Sequence, residues 1–375
     1  MLSKVLTILL TVSTGAWGQL EVVTTGLQAP QKLVMSPGGN LLVSETSTQP
    51  NAGRVSLVTP GGARRTLIEG LPSGQDVAGG PSGPTAMAVS NRTLYLAIGG
   101  GDAERRGEVP GTAIHNPEGR SSALFASILR LRFGSDIDQI TGTFRVTPEH
   151  QQSLMDGREV QIADGSGASV SVDVLARLPI SEPDPVTIYR FSNPWGLALS
   201  GDGSVLWAVD ASLNALMRID PETGRWQRIV HFPPMQNPSA VGPPMIDPVP
   251  TNVRIYGNEL LVSFLTGFPF IPGTARVLVV DPNQRSTQPF MFGRTSVVDV
   301  LWRDMGTSRA QFFALEFSSN QSAQPAAPGR LLRFDTPEAA VVAADLRGPV
   351  SMALDARSNT LYVLELSGRI LRLGL

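Results

Sequence analysis

Apolar and polar positions alternate along this chain in short bursts, and the bursts recur as one unit six times. Each unit reads as an apolar strand, a Gly-rich or polar turn, a second strand often ending in an acid, and an Arg-bearing or apolar third strand. The units begin at Leu33 (LVMSPGGNLLVSE, then GRVSLVT), Ala86, Gly196, Asn252, Val298 and Val350. Self-similarity at this scale marks a repeat architecture. A short antiparallel meander cannot bury both faces alone, so each unit must stack on its neighbours. The pattern predicts an all-β fold: a six-bladed β-propeller of four-stranded antiparallel blades.

The repeats also predict how the ring shuts. The last unit offers three strands before the chain reaches Leu375, whereas LEVVTTGL, Leu20 to Leu27, is a strand without a partner ahead of the first unit. It has the form of RTLIEGL (Arg65 to Leu71) and AAVVAADL (Ala339 to Leu346), which close other units. The N-terminal strand is therefore expected to complete the final blade and remove two open edges.

Composition fits this reading. A chain of 375 residues would ordinarily divide into two or three domains, but the repeat predicts one closed unit over 19–375. Glycine and proline are abundant, 38 and 30 residues, and charged residues are sparse at 17%, against roughly 25% usually. Many turns and few charges suit short strands. The one local helix signal is Thr147-Pro148-Glu149, an N-cap followed by proline at the first helical position. A net charge of −2 leaves no basic footprint for nucleic acid, and no Lys/Arg run points to a membrane surface.

Residues 1–18 have the layout of a secretory signal peptide: Lys4, an apolar run from Val5 to Val12, then Ala16-Trp17-Gly18. The run is too short to span a bilayer. The expected compartment is secreted or periplasmic, and the expected state a monomer. With no cysteine in the chain, disulfides and thiolate chemistry are excluded, and closure rests on strand pairing.

In such a meander the a–b and c–d turns open on one face, and the b–c and d–a connections on the other. Most a–b turns are tight, such as Ser36-Pro37-Gly38-Gly39. The long segments are mostly b–c (Gly99 to Ala123, Thr266 to Thr274, Ser318 to Pro328) or d–a (Pro72 to Pro84, Pro179 to Pro194, Pro233 to Pro250). One insertion, Gly134 to Ser169, falls on the other side. Functional residues gather on loops held by a rigid scaffold, so the loop-rich face is the expected working face.

The second strands end at Glu45, Ile98, Asp210, Phe264, Glu316 and Glu365. Four of these six are carboxylates, and they end on the loop-rich face. Carboxylates converging near a channel mouth would suit Ca²⁺ or another divalent cation, with amide oxygens from Asn193, Asn214 and Asn252. Alternatively each acid caps its own turn or pairs with an arginine such as Arg54, Arg218 or Arg369. No catalytic set emerges: of His115, His150 and His231, only His115 falls on a loop of that face, and no nucleophile elbow or zinc-protease motif occurs. Gly99-Gly100-Gly101 follows a strand with no helix after it and reads as a flexible loop. The segment Leu265 to Arg276 places Phe268 and Phe270 between prolines, a stiff apolar knob that either contacts a ligand or partner or plugs the channel.

That segment also carries a resemblance. LTGFPFIPGTARV, Leu265 to Val277, is similar to the most specific stretch of the ScyD/ScyE family of secreted six-bladed propellers, which are themselves akin to NHL-type repeats. Ser192 to Leu197 and Asp210 with Asn214 and Leu216 are similar too. Two positions depart from the family pattern: Phe264 stands where a glutamate is usual, and Ser212-Leu213 replaces a glycine pair. The resemblance implies the fold but no reaction. The reading that follows is a non-enzymatic scaffold binding a small molecule or protein, with Asn193, Trp195, Asn214, Phe268, Phe270 and Arg276 as the contact residues. The alternatives are a metal-dependent hydrolase of gluconolactonase or strictosidine-synthase type, using Glu45, Asp210, Glu316 and Glu365 as metal ligands, or a quinoprotein sugar dehydrogenase with Arg120, Arg190 and Arg276 on the quinone carboxylates.

Overall fold

A computed structural model describes residues 20–108, 112–184, 188–306, 309–334 and 339–375. The expected signal peptide, 1–18, lies outside the described residues. The long strands form six antiparallel sheets in a ring, the arrangement of a six-bladed β-propeller. From the axis outward, blade one is Pro30–Met35, Leu41–Glu45, Gly53–Val58 and Arg64–Leu71. Blade two is Pro84–Ser90, Thr93–Ile98, Ser127–Phe133 and Ser169–Arg177. Blade three is Pro194–Leu199, Leu206–Asp210, Ala215–Ile219 and Trp226–His231. Blade four is Pro250–Tyr256, Glu259–Phe264, Ala275–Asp281 and Ser286–Arg294. Blade five is Val297–Asp304, Ala310–Glu316, Gly329–Phe334 and Ala340–Leu346. Blade six runs Pro349–Asp355, Thr360–Glu365 and Arg369–Gly374, and its outer strand is Glu21–Thr24.

The closure is as the sequence implies. Glu21 pairs with Arg372, Val22 with Leu371 and Thr24 with Ile370. Leu27 is buried, and its N–H donates to the Gly368 carbonyl at 3.1 Å.

Blades one and two depart from four strands. The insertion after Phe133 contributes Val160–Ala163 to the edge of blade two and Phe144–Arg145 to the edge of blade one. It also holds the short helix Pro148–Met155, where the Thr147 hydroxyl accepts from the His150 N–H and the Thr147 N–H donates to the His150 ring. His150 is thus a cap. Asp138, in the same insertion, accepts from Ser36, Gly38 and Asn40, bracing the a–b turn of blade one.

Proline opens the inner strand of five blades, one register position in each. Pro30, Pro84, Pro194, Pro250 and Pro349 lie opposite the last residue of their second strands, as Val297 lies opposite Glu316. The first residue of a strand can dispense with its N–H, so proline is tolerated there. The register slips immediately afterwards in all six blades, as at a β-bulge.

Polar groups of the inner and second strands stitch the blades together. Ser44 Oγ donates to the Thr85 carbonyl, and Thr85 Oγ1 to the Pro194 carbonyl at 2.6 Å. Gly196 meets blade four so closely that a Cβ there would sit 2.8 Å from Asn252 Cα. Thr251 Oγ1 reaches the Val297 carbonyl, Asp299 accepts the Met352 N–H at 2.8 Å, and the Leu33 N–H donates to Ser351 Oγ. Lys32 crosses the ring. Its Nζ donates to the Thr251 carbonyl at 2.9 Å, joining blades one and four, which are opposite in a ring of six. Burial, opposed by Asp299 and reinforced by Arg254, brings the Lys32 amine down to about 8.

Two expectations follow. A chain lacking residues up to Leu27 loses the outer strand of blade six, and its cooperative thermal transition should collapse across the whole ring. For Lys32, the folded value lies below the unfolded 10.5. The folded state therefore carries the full cost of the charge below pH 8 and sheds it as pH rises to 10.5. The wild type should gain about 3 kcal/mol relative to Lys32→Met between pH 7.5 and 10.5, read from urea midpoints. An unchanged difference would show that the amine is not desolvated.

Candidate functional site

The four strand-end acids are buried, and each is engaged within the scaffold. Glu45 accepts from Arg54 Nη2 at 3.0 Å, from the Gln28 N–H at 2.5 Å and from the Ser56 hydroxyl. Glu316 accepts from Arg330 Nε at 2.8 Å and the Thr295 N–H at 2.9 Å. Glu365 accepts from Arg369 Nε at 2.5 Å and the Arg347 N–H at 2.8 Å. Asp210 has no arginine partner among the described residues. It accepts from Ser192 Oγ at 2.5 Å and from the N–H groups of Asn193, Ser212 and Leu213, and burial still holds its carboxyl above the usual range. In every case one donor is an N–H of the incoming d–a connection: Gln28, Asn193, Thr295 or Arg347. The acid therefore ties that connection to its own blade.

These contacts are the turn-cap and arginine-pair arrangement, the alternative to a shared cation. Glu45, Asp210, Glu316 and Glu365 belong to four separate blades with separate partners. Among the described residues, no three His, Cys, Asp or Glu side chains are grouped to hold a metal ion. The amides are committed as well: Asn193 Oδ1 accepts from the Gly100 N–H, Asn214 Oδ1 from the Val249 N–H, and Asn252 donates to Asp299. Blade four keeps the arginine without the acid. Arg276 lies over the Phe264 ring at 5.2 Å, a cation–π contact in place of the ion pair.

The loop-rich face is built up over blades one to four. Four of its long connections fold into two-stranded hairpins, where the sequence implied only irregular loops: Gly74–Gln75 with Pro81–Ser82, Glu104–Arg106 with Ala113–His115, Ser181–Asp184 with Ile188–Phe191, and Met235–Gln236 with Met245–Ile246. The triple glycine, expected to be flexible, is packed. A Cβ on Gly99 would lie 2.6 Å from Asn193 Oδ1, and one on Gly101 (φ +59°) 2.3 Å from the Phe125 ring. All three N–H groups are bonded, to Gly83, Asn193 and Ser82.

Between these hairpins lies a cavity of about 480 Å³. Phe191, Phe268 and Phe270 supply aromatic wall, and Glu104, Arg190 and Asp247 supply charge. Phe268 and Phe270 meet edge to face at 6.0 Å, and Phe268 packs over Gly242. Arg190 bridges Asp184 at 2.5 Å and Asp247 at 2.7 Å, and Asn214, itself buried at φ +50°, holds Asp247 at 2.9 Å. Of the six contact residues expected from the sequence, Asn193, Phe268 and Phe270 line the cavity and Asn214 orients a residue that does. Trp195 and Arg276 lie outside the lining.

Glu104 is a cavity residue that no motif in the sequence singles out. It stands opposite His115 in the hairpin, and the His115 ring meets Phe191 edge-on at 4.7 Å. Burial, reinforced by Asp76, pushes the Glu104 carboxyl up to about 7. Nothing local in the string GGGDAERRGE marks that acid. Its environment comes from loops of blades one and three.

Because the strand-end acids act as staples, Glu316→Ala should leave Arg330 and the Thr295 N–H without their acceptor and cost about 3 kcal/mol. The loss should be the same with and without chelator in a thermal melt. A loss seen only in the presence of Ca²⁺ would restore a metal role.

No family model and no curated protein matches the chain. Among solved structures, the chain is similar to the PQQ-bound form of aldose sugar dehydrogenase from Streptomyces coelicolor, with 16% identity over 95% of this chain and 98% of that one, TM-score 0.47. It is similar to the soluble aldose sugar dehydrogenase of Escherichia coli in its apo form, with 12% identity over 95% and 98%, TM-score 0.48. It is also similar to Kuenenia stuttgartiensis hydrazine synthase, with 14% identity over 91% and 75%, TM-score 0.48.

Proposed function

We propose that the protein is a non-enzymatic propeller of the ScyD/ScyE kind that is exported by residues 1–18 and binds a small ligand in the cavity of its loop-rich face. The observation that carries this reading is the cavity itself. Its volume of about 480 Å³ falls within the roughly 300–1,000 Å³ of small-molecule sites. Apolar rings dominate one wall, and polar groups converge from the blade-two loop, blade three and the connections on either side of blade three. Phe268 and Phe270 are fixed by their own turn and by Gly242, so little freedom is lost when a ligand docks.

One observation favours a catalytic alternative, hydrolysis of a lactone or ester. A carboxyl poised near 7, as for Glu104, can give and take a proton at neutral pH. A metal-assisted version would need ligands other than the four strand-end acids. For the quinoprotein alternative, Arg190 is tied to two aspartates, while Arg120 and Arg276 lie outside the cavity lining.

The test is a thermal-shift screen of small molecules against the wild type and against Phe268→Ser/Phe270→Ser. Ligands should raise the wild-type melt, by about 3 kcal/mol of stability at a hundredfold excess over Kd. The double variant should melt where the unliganded wild type does and respond to none of them. A double variant that fails to fold would make the two rings a structural plug. Turnover of nitrophenyl esters or lactones that disappears in Glu104→Gln would bring the hydrolase reading forward.

A further inference from the structure

Glu104 is a half-buried cavity carboxyl with no counter-charge among the described residues. No hydrogen bond or ion pair engages its side chain among the described residues, whereas Asp247 has both Arg190 and Asn214. The charged and titratable groups around it come from every neighbouring element. Asp76 stands in the blade-one hairpin loop, Arg106 and Glu108 on the same connection, His115 across the strand pair, and Arg190 and Asp247 on the far side. The acids that line the cavity, Glu104, Glu108 and Asp247, outnumber Arg106 and Arg190, and the adjoining Asp76 and Asp184 deepen the deficit. Arg190 is consumed by its two aspartates. Arg106 is exposed at the rim, and the groups that act on Glu104 are burial and Asp76, with no cation among them.

Building on the binding reading above, we propose that the cavity takes an organic ammonium ion with an apolar body, its charged head beside Glu104 and its body against Phe191, Phe268 and Phe270. A carboxylate that is partly buried and uncompensated gains most from an incoming cation. Aromatic faces also favour a cationic head over an anionic one. The excess of acids around the mouth draws a cation inward and repels an anion. An ammonium ion binds the ionised carboxylate, so occupancy releases the proton that Glu104 shares with solvent near neutral pH. Affinity is then full above about pH 7 and weakens by about tenfold per pH unit as pH falls below it.

The experiment uses three probes with one body and three charges, 4-phenylbutylamine, 4-phenylbutan-1-ol and 4-phenylbutyrate, titrated calorimetrically into the full mature chain from pH 5 to 8.5. The amine should bind at least about tenfold more tightly than the alcohol at pH 8, and the acid most weakly. Only the amine should lose affinity below pH 7. Glu104→Gln, which keeps size and shape, should remove the preference for amine over alcohol and flatten the pH profile while leaving the alcohol bound as before. An alcohol equal to the amine, an acid that binds more tightly, or a pH-independent amine would overturn the inference while the cavity stood as a binding site. If none of the three binds at millimolar concentration, the binding reading falls with it.

Discussion

The ring depends on a belt of buried polar contacts around its axis. Apolar packing between blades is extensive but not directional, and it would tolerate sliding of one sheet over the next. The hydroxyls of Ser44, Thr85 and Thr251, the close approach of Gly196 to Asn252, and Asp299 on the Met352 N–H fix each blade against its neighbour at one height. Lys32 then ties opposite sides through the axis. A buried amine beside Arg254 and Asp299 is a costly way to fill a channel, and its depressed value near 8 records that cost.

The second constraint lies one layer out. Where each second strand ends, an acid in four blades accepts an N–H from the connection arriving out of the previous blade. Four of the six d–a connections are consequently anchored at their bases. The hairpins of blades one to three, with the Phe268–Phe270 turn of blade four, enclose the cavity. Blade four lacks the acid, and Phe264 under Arg276 holds the position by cation–π contact. Of the four acids, only Asp210 holds a connection that lines the cavity, the one carrying Arg190, Phe191 and Asn193.

The cavity combines a satisfied charge cluster with an unsatisfied one. Arg190, Asp184, Asp247 and Asn214 form a closed network that rigidifies one wall. Among the described residues, Glu104 stands apart with no such partner. Mostly apolar walls with a few placed polar groups are the usual arrangement of a ligand pocket.

Much of the architecture was legible in the amino-acid string because propeller blades are local. A meander of strands joined by short turns involves residues close in sequence, so periodicity, turn glycines and the unpaired segment Leu20 to Leu27 determined blade number, strand order, ring closure and the loop-rich face. The same logic placed Phe268 and Phe270 on that face. What the string could not reveal arises between blades. Whether Glu45, Asp210, Glu316 and Glu365 converge on an ion or staple their own connections depends on where the neighbouring blade's N–H groups arrive. Lys32 reads as an ordinary strand lysine until Thr251, 219 positions away, is found opposite it. Glu104 is one acid in a polar loop until hairpins from two other blades bury it. Charge and proton affinity depend on the dielectric and partners that distant segments supply, and only the closed ring brings those segments together.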